Sequence, residues 1–254
     1  MSRILVSIVV IAAALYLALC AGLWVFQRAL IYFPQPGSAD SATTQMRLVV
    51  DEAQVLVSVR PRDGPQALIY FGGNAEDVSA NLPQFAQAFA DHALYLMHYR
   101  GFGGSSGSPS EEAIAADALA LFDQVYADHR QVVVIGRSLG SGVAVRLASQ
   151  RPVARLILIT PYNSLEELAA RQLPIFPVRW LLRDRYDAWK YARRIQVPTL
   201  LLAAEHDEVI PRASTERLLQ QFAPGVARLE VIPGTGHNSI AASPRYLPLL
   251  RKGM

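Results

Sequence analysis

Cysteine is almost missing from this 254-residue chain: the single copy, Cys20, lies inside an apolar N-terminal run, and nothing after it carries a thiol. That excludes a disulfide framework or cysteine chemistry in the body of the protein, and it leaves the redox compartment unmarked. Metal-ligand spacing is missing too, as are a phosphate-cradling glycine loop, an internal repeat and the basic–aromatic pattern that reads nucleic acid. The sequence therefore implies no metal, no cofactor and no nucleic-acid partner. Charge is scarcest between Ile4 and Phe26, where there is none. The net charge of +3 comes almost wholly from arginine. Arginine-rich stretches at 179–194 and at Arg245, Arg251 and Lys252 read by default as solvated faces, with anionic lipid headgroups as the other reading.

At 1.5 Å per residue, the run of about 23 residues from Ile4 to Phe26 reaches roughly 35 Å, enough to cross a bilayer. Arg3 precedes it, and Trp24, Gln27, Arg28, Tyr32 and Phe33 follow as interface residues. A cleaved signal peptide has a shorter apolar region, about 7–15 residues, and a clear small-residue cleavage site. Here the only faint site is Ala18-Leu19-Cys20 before Ala21, and Leu19 is too bulky for a lipoprotein box. Residues 1–27 are thus expected to be a retained transmembrane signal anchor, making a single-pass membrane protein whose lipid partner is met through that helix. Residues 28–254 are enough for one globular domain with a full core. Arg3 and Arg28 oppose each other in the positive-inside count, but the short N-terminal flank favours a domain outside the cytoplasm.

Beyond the run, Leu48–Val50 and Val55–Arg60 read as an antiparallel pair. Six short apolar strands follow at Ala67–Phe71, Ala93–Met97, Gln131–Ile135, Leu156–Ile159, Thr199–Ala203 and Arg228–Ile232. Helical stretches fall near Ser79–Ala90, Glu111–Tyr126, Gly140–Ser149 and Ala213–Phe222. This alternation specifies an α/β fold, with a mostly parallel central sheet covered by helices on both faces. In such sheets, sites form at the C-terminal ends of the strands.

Gly136-Arg137-Ser138-Leu139-Gly140 sits between the strand ending at Ile135 and a small-residue helix start. This is G-x-S-x-G in strand–turn–helix context, the nucleophile elbow: the turn is so tight that flanking side chains would collide, and the serine hydroxyl is left exposed beside a helix N-terminus. A serine hydroxyl needs an adjacent base, and the base an orienting acid, in the chain order Ser, Asp or Glu, His. Glu205-His206-Asp207-Glu208 follows one late strand, and Gly234-Thr235-Gly236-His237 follows the next. Of five histidines, His237 alone meets the order. His92 and His129 read as solvated loop residues, His98 precedes the serine, and His206 reads as exposed or supporting. Asp207 is favoured as the acid because Asp-x-Val-Ile-Pro turns the chain sharply there, with Glu208 as the fallback.

These stations, with Ile31-Tyr32-Phe33-Pro34, Tyr70-Phe71-Gly72-Gly73-Asn74-Ala75-Glu76-Asp77, Tyr99-Arg100-Gly101-Phe102-Gly103 with Gly107-Ser108-Pro109-Ser110-Glu111, and Thr160-Pro161-Tyr162-Asn163-Ser164, resemble the α/β-hydrolase superfamily over nearly everything after residue 27. Within it, the chain is similar to single-pass membrane-anchored serine hydrolases of the serine-aminopeptidase-like and protein-depalmitoylase branches. The resemblance implies an oxyanion hole from the N–H groups of Leu139 and Asn74. The family commonly reads His-Gly-Asn-Ala at the second position, and Gly72 here replaces the histidine. It also implies that residues 162–194, between the strands at Leu156 and Thr199, form a small helical lid. Asp117 matches an acidic position common in this branch and reads as a surface carboxylate stabilising its helix; Arg137 reads as structural, or as a contact for an anionic substrate group.

The expected activity is that of a membrane-anchored serine hydrolase (esterase or thioesterase type) with the triad Ser138, Asp207 and His237, acting on a small-molecule or lipid-like acyl ester. The alternatives are a serine peptidase with the same triad, which needs a feature holding a peptide terminus, and a catalytically silent hydrolase-like binding protein.

Overall fold

Short apolar runs alternating with longer helical stretches build one eight-stranded sheet in the computed structural model, which describes residues 3–37 and 44–253. Strands β1 (Thr44–Val50) and β2 (Ala53–Arg60) form an antiparallel hairpin. Its turn residues, Asp51 and Glu52, both adopt positive φ, as a two-residue hairpin loop whose twist matches its strands requires. Strands β3 (Gln66–Phe71), β4 (Ala93–Met97), β5 (Gln131–Arg137), β6 (Arg155–Ile159), β7 (Thr199–Ala204) and β8 (Ala227–Ile232) follow, all parallel to their neighbours among themselves. The order is β1-β2-β4-β3-β5-β6-β7-β8, with β2 antiparallel to β4. Chain direction across the sheet reverses at β3, whose successors β4 and β5 lie on opposite sides of it. This is the switch point at which open α/β sheets place their crevice.

Side chains alternate along each central strand between two cores. Ile69, Phe71, Val132 and Val134 face one way, toward helices α3 (Glu111–Asp128) and α4 (Leu139–Ala148). Leu68, Tyr70, Val133 and Ile135 face the other, toward α2 (Leu82–Ala88) and the C-terminal helix α9 (Tyr246–Lys252). Burial on both faces explains why these strands read as continuous apolar runs rather than alternating ones. Helix α3 starts where Ser110 accepts the Ala113 N–H, with Glu111 and Glu112 in the first turn, a capping arrangement worth about 1 kcal/mol. Helix α8 (Arg212–Leu219) links β7 to β8. Helix α9 turns its basic residues to solvent, as the default reading of the C-terminal stretch has it, and buries its apolar Tyr246 and Leu250. Arg251 Nε donates to the Ala88 carbonyl at 2.9 Å.

Three short helices, α5 (Leu165–Gln172), α6 (Val178–Leu181) and α7 (Ala188–Ala192), occupy the segment between β6 and β7, as expected of a small helical lid. Helix α1 (Arg3–Ile31) is apolar and long enough by length and composition to cross a membrane; only Cys20 and Gln27 of it are buried.

Two polar readings of the sequence are corrected by burial. Asp117 is not a surface carboxylate: its side chain has no exposure, and Arg100 grips it from Nε and Nη2 at 2.7–3.2 Å. Burial raises the Asp117 carboxyl above the ordinary carboxylate range, and Arg100 pulls it back only in part. The same hydrogen bonds hold Arg100 more firmly protonated. The amphipathic pattern of α3 hid this, because a polar residue on a mostly apolar face reads as its edge. His129 is not solvated either: its ring is buried between the Gly64 carbonyl (2.7 Å) and the Tyr95 hydroxyl (3.1 Å).

Breaking a buried pair by removing one partner strands the other charge. Arg100→Ala is therefore expected to lower unfolding free energy by about 3–5 kcal/mol in denaturant titration of the detergent-solubilised full chain. The double variant Arg100→Met/Asp117→Leu should stay much closer to wild type. Equal losses in the two would show that the pair's charge is not what matters.

Candidate active site

Two glycines make the turn after β5 possible. A Cβ on Gly136 would run into the Gly140 carbonyl and Ala144, and one on Gly140 would run into the carbonyls of Phe71 and Gly72 at the end of β3. With both positions bare, α4 begins one residue after Ser138, packed against the sheet. Ser138 itself takes φ 48° and ψ −116°, a conformation that costs an L-residue on the order of 1–3 kcal/mol. Its backbone is fixed from both sides: the N–H donates to Ile159 O at 2.9 Å, and the carbonyl accepts the Ser141 N–H and hydroxyl.

The hydroxyl of Ser138 lies 3.0 Å from His237 Nε2. On the other side of the ring, Nδ1 is 3.0 Å from each carboxylate oxygen of Asp207. Asp207 is steadied in turn by the N–H groups of Val209 (3.0 Å) and Ile210 (2.7 Å), the sharp turn that its sequence context implied. The His237 and Asp207 side chains are each only 7% exposed. An Nδ1–H held by a carboxylate leaves Nε2 with its lone pair toward the serine, the tautomer that can accept a hydroxyl proton. Glu208, the fallback acid, does something else: its carboxylate accepts the His237 backbone N–H at 3.0 Å, and that bond pulls its pKa below the ordinary range. His206 is exposed beside Glu205. His98 is buried against Ser58 (2.8 Å) and packed on Gly103, where burial lowers its pKa; it takes no part in the site.

The β3 loop brings Asn74 to the same corner. No acceptor for the backbone N–H of Leu139 or of Asn74 occurs among the loop and cap hydrogen bonds of the described residues. The N–H of Gly73 is already spent on Glu76 Oε2 at 2.5 Å. Glu76 is the residue that sequence reasoning missed. It also accepts from the Tyr70 hydroxyl (2.7 Å), Asn81 Nδ2 (2.7 Å) and Arg137 Nη1 (2.9 Å), tying the loop to the residue next to Ser138. Burial pushes the Arg137 pKa down and Glu76 more than restores it, so this guanidinium is a structural cation, the first of its two sequence readings. Gly72 follows from the same packing: a Cβ there would strike Val78, so the histidine usual at this position has no room. Its carbonyl instead accepts the buried Tyr99 hydroxyl at 2.7 Å. Glu76 lies five residues past β3 within the family-like stretch 70–77, where nothing in the sequence gives it a role; its partners do.

A cavity of about 310 Å³ opens above Ser138. Its walls come from the last turns of α1 (Leu23, Leu30, Ile31) and from the lid (Leu173, Val178, Leu181), and no charged side chain lines it.

Comparison with known proteins places the chain in a family. Residues 66–190 match the family described as α/β hydrolase fold, and residues 166–241 match serine aminopeptidase, S33. An uncharacterized protein of Mycobacterium tuberculosis, Rv2307c, is 38% identical over 235 residues, covering 85% of this chain and 82% of that one. The chain belongs to the α/β-hydrolase superfamily. The hydrolase is also 25% identical to protein bem46 of Schizosaccharomyces pombe over 260 residues, covering 90% of this chain and 85% of bem46. Its identity to the lysophosphatidylserine lipase ABHD12 of Xenopus tropicalis is 31% over 219 residues, covering 72% of this chain and 56% of the lipase. The solved structure of the α/β hydrolase MGS-M2, from a deep-sea metagenome library, shares the fold with TM-score 0.67 at 16% identity, covering 82% and 96% of the two chains.

Glu76 makes no hydrogen bond to Ser138, His237 or Asp207, so its removal should act through loop position. A displacement of about 1 Å at a reacting centre can cost on the order of a hundredfold. Glu76→Ala is expected to lower kcat for p-nitrophenyl ester hydrolysis by about 10- to 100-fold with KM little changed, and Glu76→Gln to recover part of the loss. A pure KM effect would assign Glu76 to substrate binding instead.

Proposed function

We propose that this chain is a membrane-anchored serine hydrolase that cleaves carboxylic ester or thioester bonds of lipid-like acyl substrates. The observation that carries the reading is the unbroken hydrogen-bonded line Asp207–His237–Ser138, ending in an uncharged, apolar cavity. Ser138 Oγ attacks the acyl carbonyl while His237 Nε2 takes its proton. Asp207 keeps the imidazole oriented and steadies its charged form. The tetrahedral oxyanion is held by the N–H groups of Leu139 and Asn74, each worth on the order of a hundredfold or more in rate. Collapse expels the alcohol or thiol, which carries off the proton from His237 and leaves an acyl-Ser138. Water then attacks that ester with His237 again as base; His237 returns the proton to Ser138 Oγ as the acyl bond breaks, and the free acid departs. None of these steps draws on a cofactor.

Helix α1 is proposed as the anchor, because a 29-residue apolar helix with so little burial needs a covering medium that the protein itself does not supply. The short N-terminal flank of this anchor favours a catalytic domain on the extracytoplasmic side. The apolar cavity and the likeness to a lysophosphatidylserine lipase both favour an acyl-chain substrate. An aminopeptidase must hold a protonated amine, and the cavity lining has no carboxylate to do so.

Full-length protein in detergent should hydrolyse p-nitrophenyl esters, with preference for chains longer than acetyl, and should leave aminoacyl p-nitroanilides nearly untouched. Ser138→Ala and His237→Ala should abolish turnover, and Asp207→Asn should reduce it by about a thousandfold or more. Faster cleavage of the anilides would instead establish a peptidase. Inactivity of folded wild type on both would point to a binding protein.

A further inference from the structure

Helix α1 does not stand clear of the domain. Near its C-terminal end, Gln27 Nε2 donates to the Leu181 carbonyl at 3.1 Å and Gln27 Oε1 accepts the Arg183 N–H at 2.7 Å. Arg28 pairs with Asp184 at 3.1 Å. Asn74 donates from Nδ2 to the Ile31 carbonyl at 2.6 Å and accepts the Phe33 N–H at 3.0 Å, so the residue proposed to give the second oxyanion N–H also holds the end of the helix. The lid then descends along α1. Tyr16 donates its hydroxyl to the Ile175 carbonyl at 2.8 Å, and its ring stacks on Phe176 with centroids 5.8 Å apart.

That contact fixes a depth. If the lid lay wholly above a bilayer, only Arg3 to Leu15 would remain to cross it, and those residues reach about 20 Å against roughly 30 Å of hydrocarbon. The helix cannot both span and keep the lid dry. Trp24, with the Arg183 guanidinium 3.8 Å above its ring, has the character of an interface anchor. Tyr16 lies eight residues deeper, about 12 Å by helical rise. The side chain of Ile175 fits that depth, being 72% exposed; Trp180, farther along the lid and next to the Leu181 carbonyl that Gln27 holds, is 83% exposed, and among the described residues these are the most exposed large apolar side chains outside α1.

We infer that the lid loop Leu173–Trp180 is a second membrane-inserted element, and that the acyl cavity, walled by α1 on one side and this loop on the other, opens into the leaflet. The substrate is then a bilayer-resident acyl ester that slides in from the membrane alongside α1, rather than one captured from water. This rests on the proposal that α1 is the membrane anchor. The anchor helix becomes a wall of the binding site, and through Asn74 it is joined to the oxyanion corner.

The test is nitroxide depth measurement on the full chain in vesicles of phosphatidylcholine with phosphatidylglycerol, in a Cys20→Ala background. Labels at Ile175→Cys, at Val10→Cys within α1 and at Asp63→Cys on a solvated loop are compared for collision with oxygen and with a water-soluble nickel complex. The expected result is oxygen-dominated collision at 175, intermediate between 10 and 63 and corresponding to about 5–12 Å below the phosphates. Position 10 buried with position 175 as water-accessible as 63 would overturn the inference alone. Position 10 water-accessible would overturn the anchor itself and this inference with it. A functional readout runs in parallel: the rate on a long-chain acyl ester embedded in vesicles, divided by the rate on a water-soluble short-chain p-nitrophenyl ester. Ile175→Glu/Trp180→Glu should lower that ratio about tenfold or more, and an unchanged ratio would rule out uptake from the leaflet.

Discussion

The approach of α4 to the ends of β3 and β5 is the constraint on which the site depends. It requires bare Cα atoms at Gly136 and Gly140, because any side chain at either would meet backbone carbonyl oxygen. Once the helix is that close, the residue between has nowhere to go but the strained conformation of Ser138. The strain is affordable because everything around it is over-determined. All of α4 but Arg146 is buried, and Ser138 is pinned by Ile159 and Ser141. The same approach sets the Leu139 N–H at a helix start beside the β3 loop, so the nucleophile candidate and one of the two free N–H groups come from a single packing event.

The second condition is a polar clamp across the switch point. Glu76 joins the β3 loop to the β5 elbow through Arg137, consumes the Gly73 N–H and leaves that of Asn74 free. In doing so it supplies the loop order that a histidine at position 72 would otherwise be expected to give. The Asn74 side chain extends the connection to α1, and α1 connects to the lid through Gln27 and Arg28. Elbow, β3 loop, N-terminal helix and lid are thus one hydrogen-bonded unit around the cavity, not a domain with an appended tether.

Much of this was legible in the chain. The central strands were readable because they are buried on both faces and bounded by turn residues. That Ser138, Asp207 and His237 come together was readable because each lies in the loop after a strand, in the chain order that the resemblance implies. What escaped was whatever depends on contacts distant in sequence. Glu76 looks like any loop glutamate, and Asp117 and His129 look like surface residues until their partners, Arg100 and Tyr95, arrive from other elements. The dual use of α1 escaped for a similar reason. Gln27 and Tyr32 read as interface anchors from composition, whereas the coordinates put Gln27 on the Leu181 carbonyl and Tyr32 beside Asp184 and Tyr186.

The account stands on an activated hydroxyl at Ser138, and mass mapping of a fluorophosphonate adduct on the full-length protein addresses it directly. One adduct is expected, on the peptide that carries Ser138, and it should be lost in His237→Ala, where the base is missing but the serine remains. Folded wild-type protein that takes up no adduct, or takes it up at Ser141 or another serine, would contradict the account.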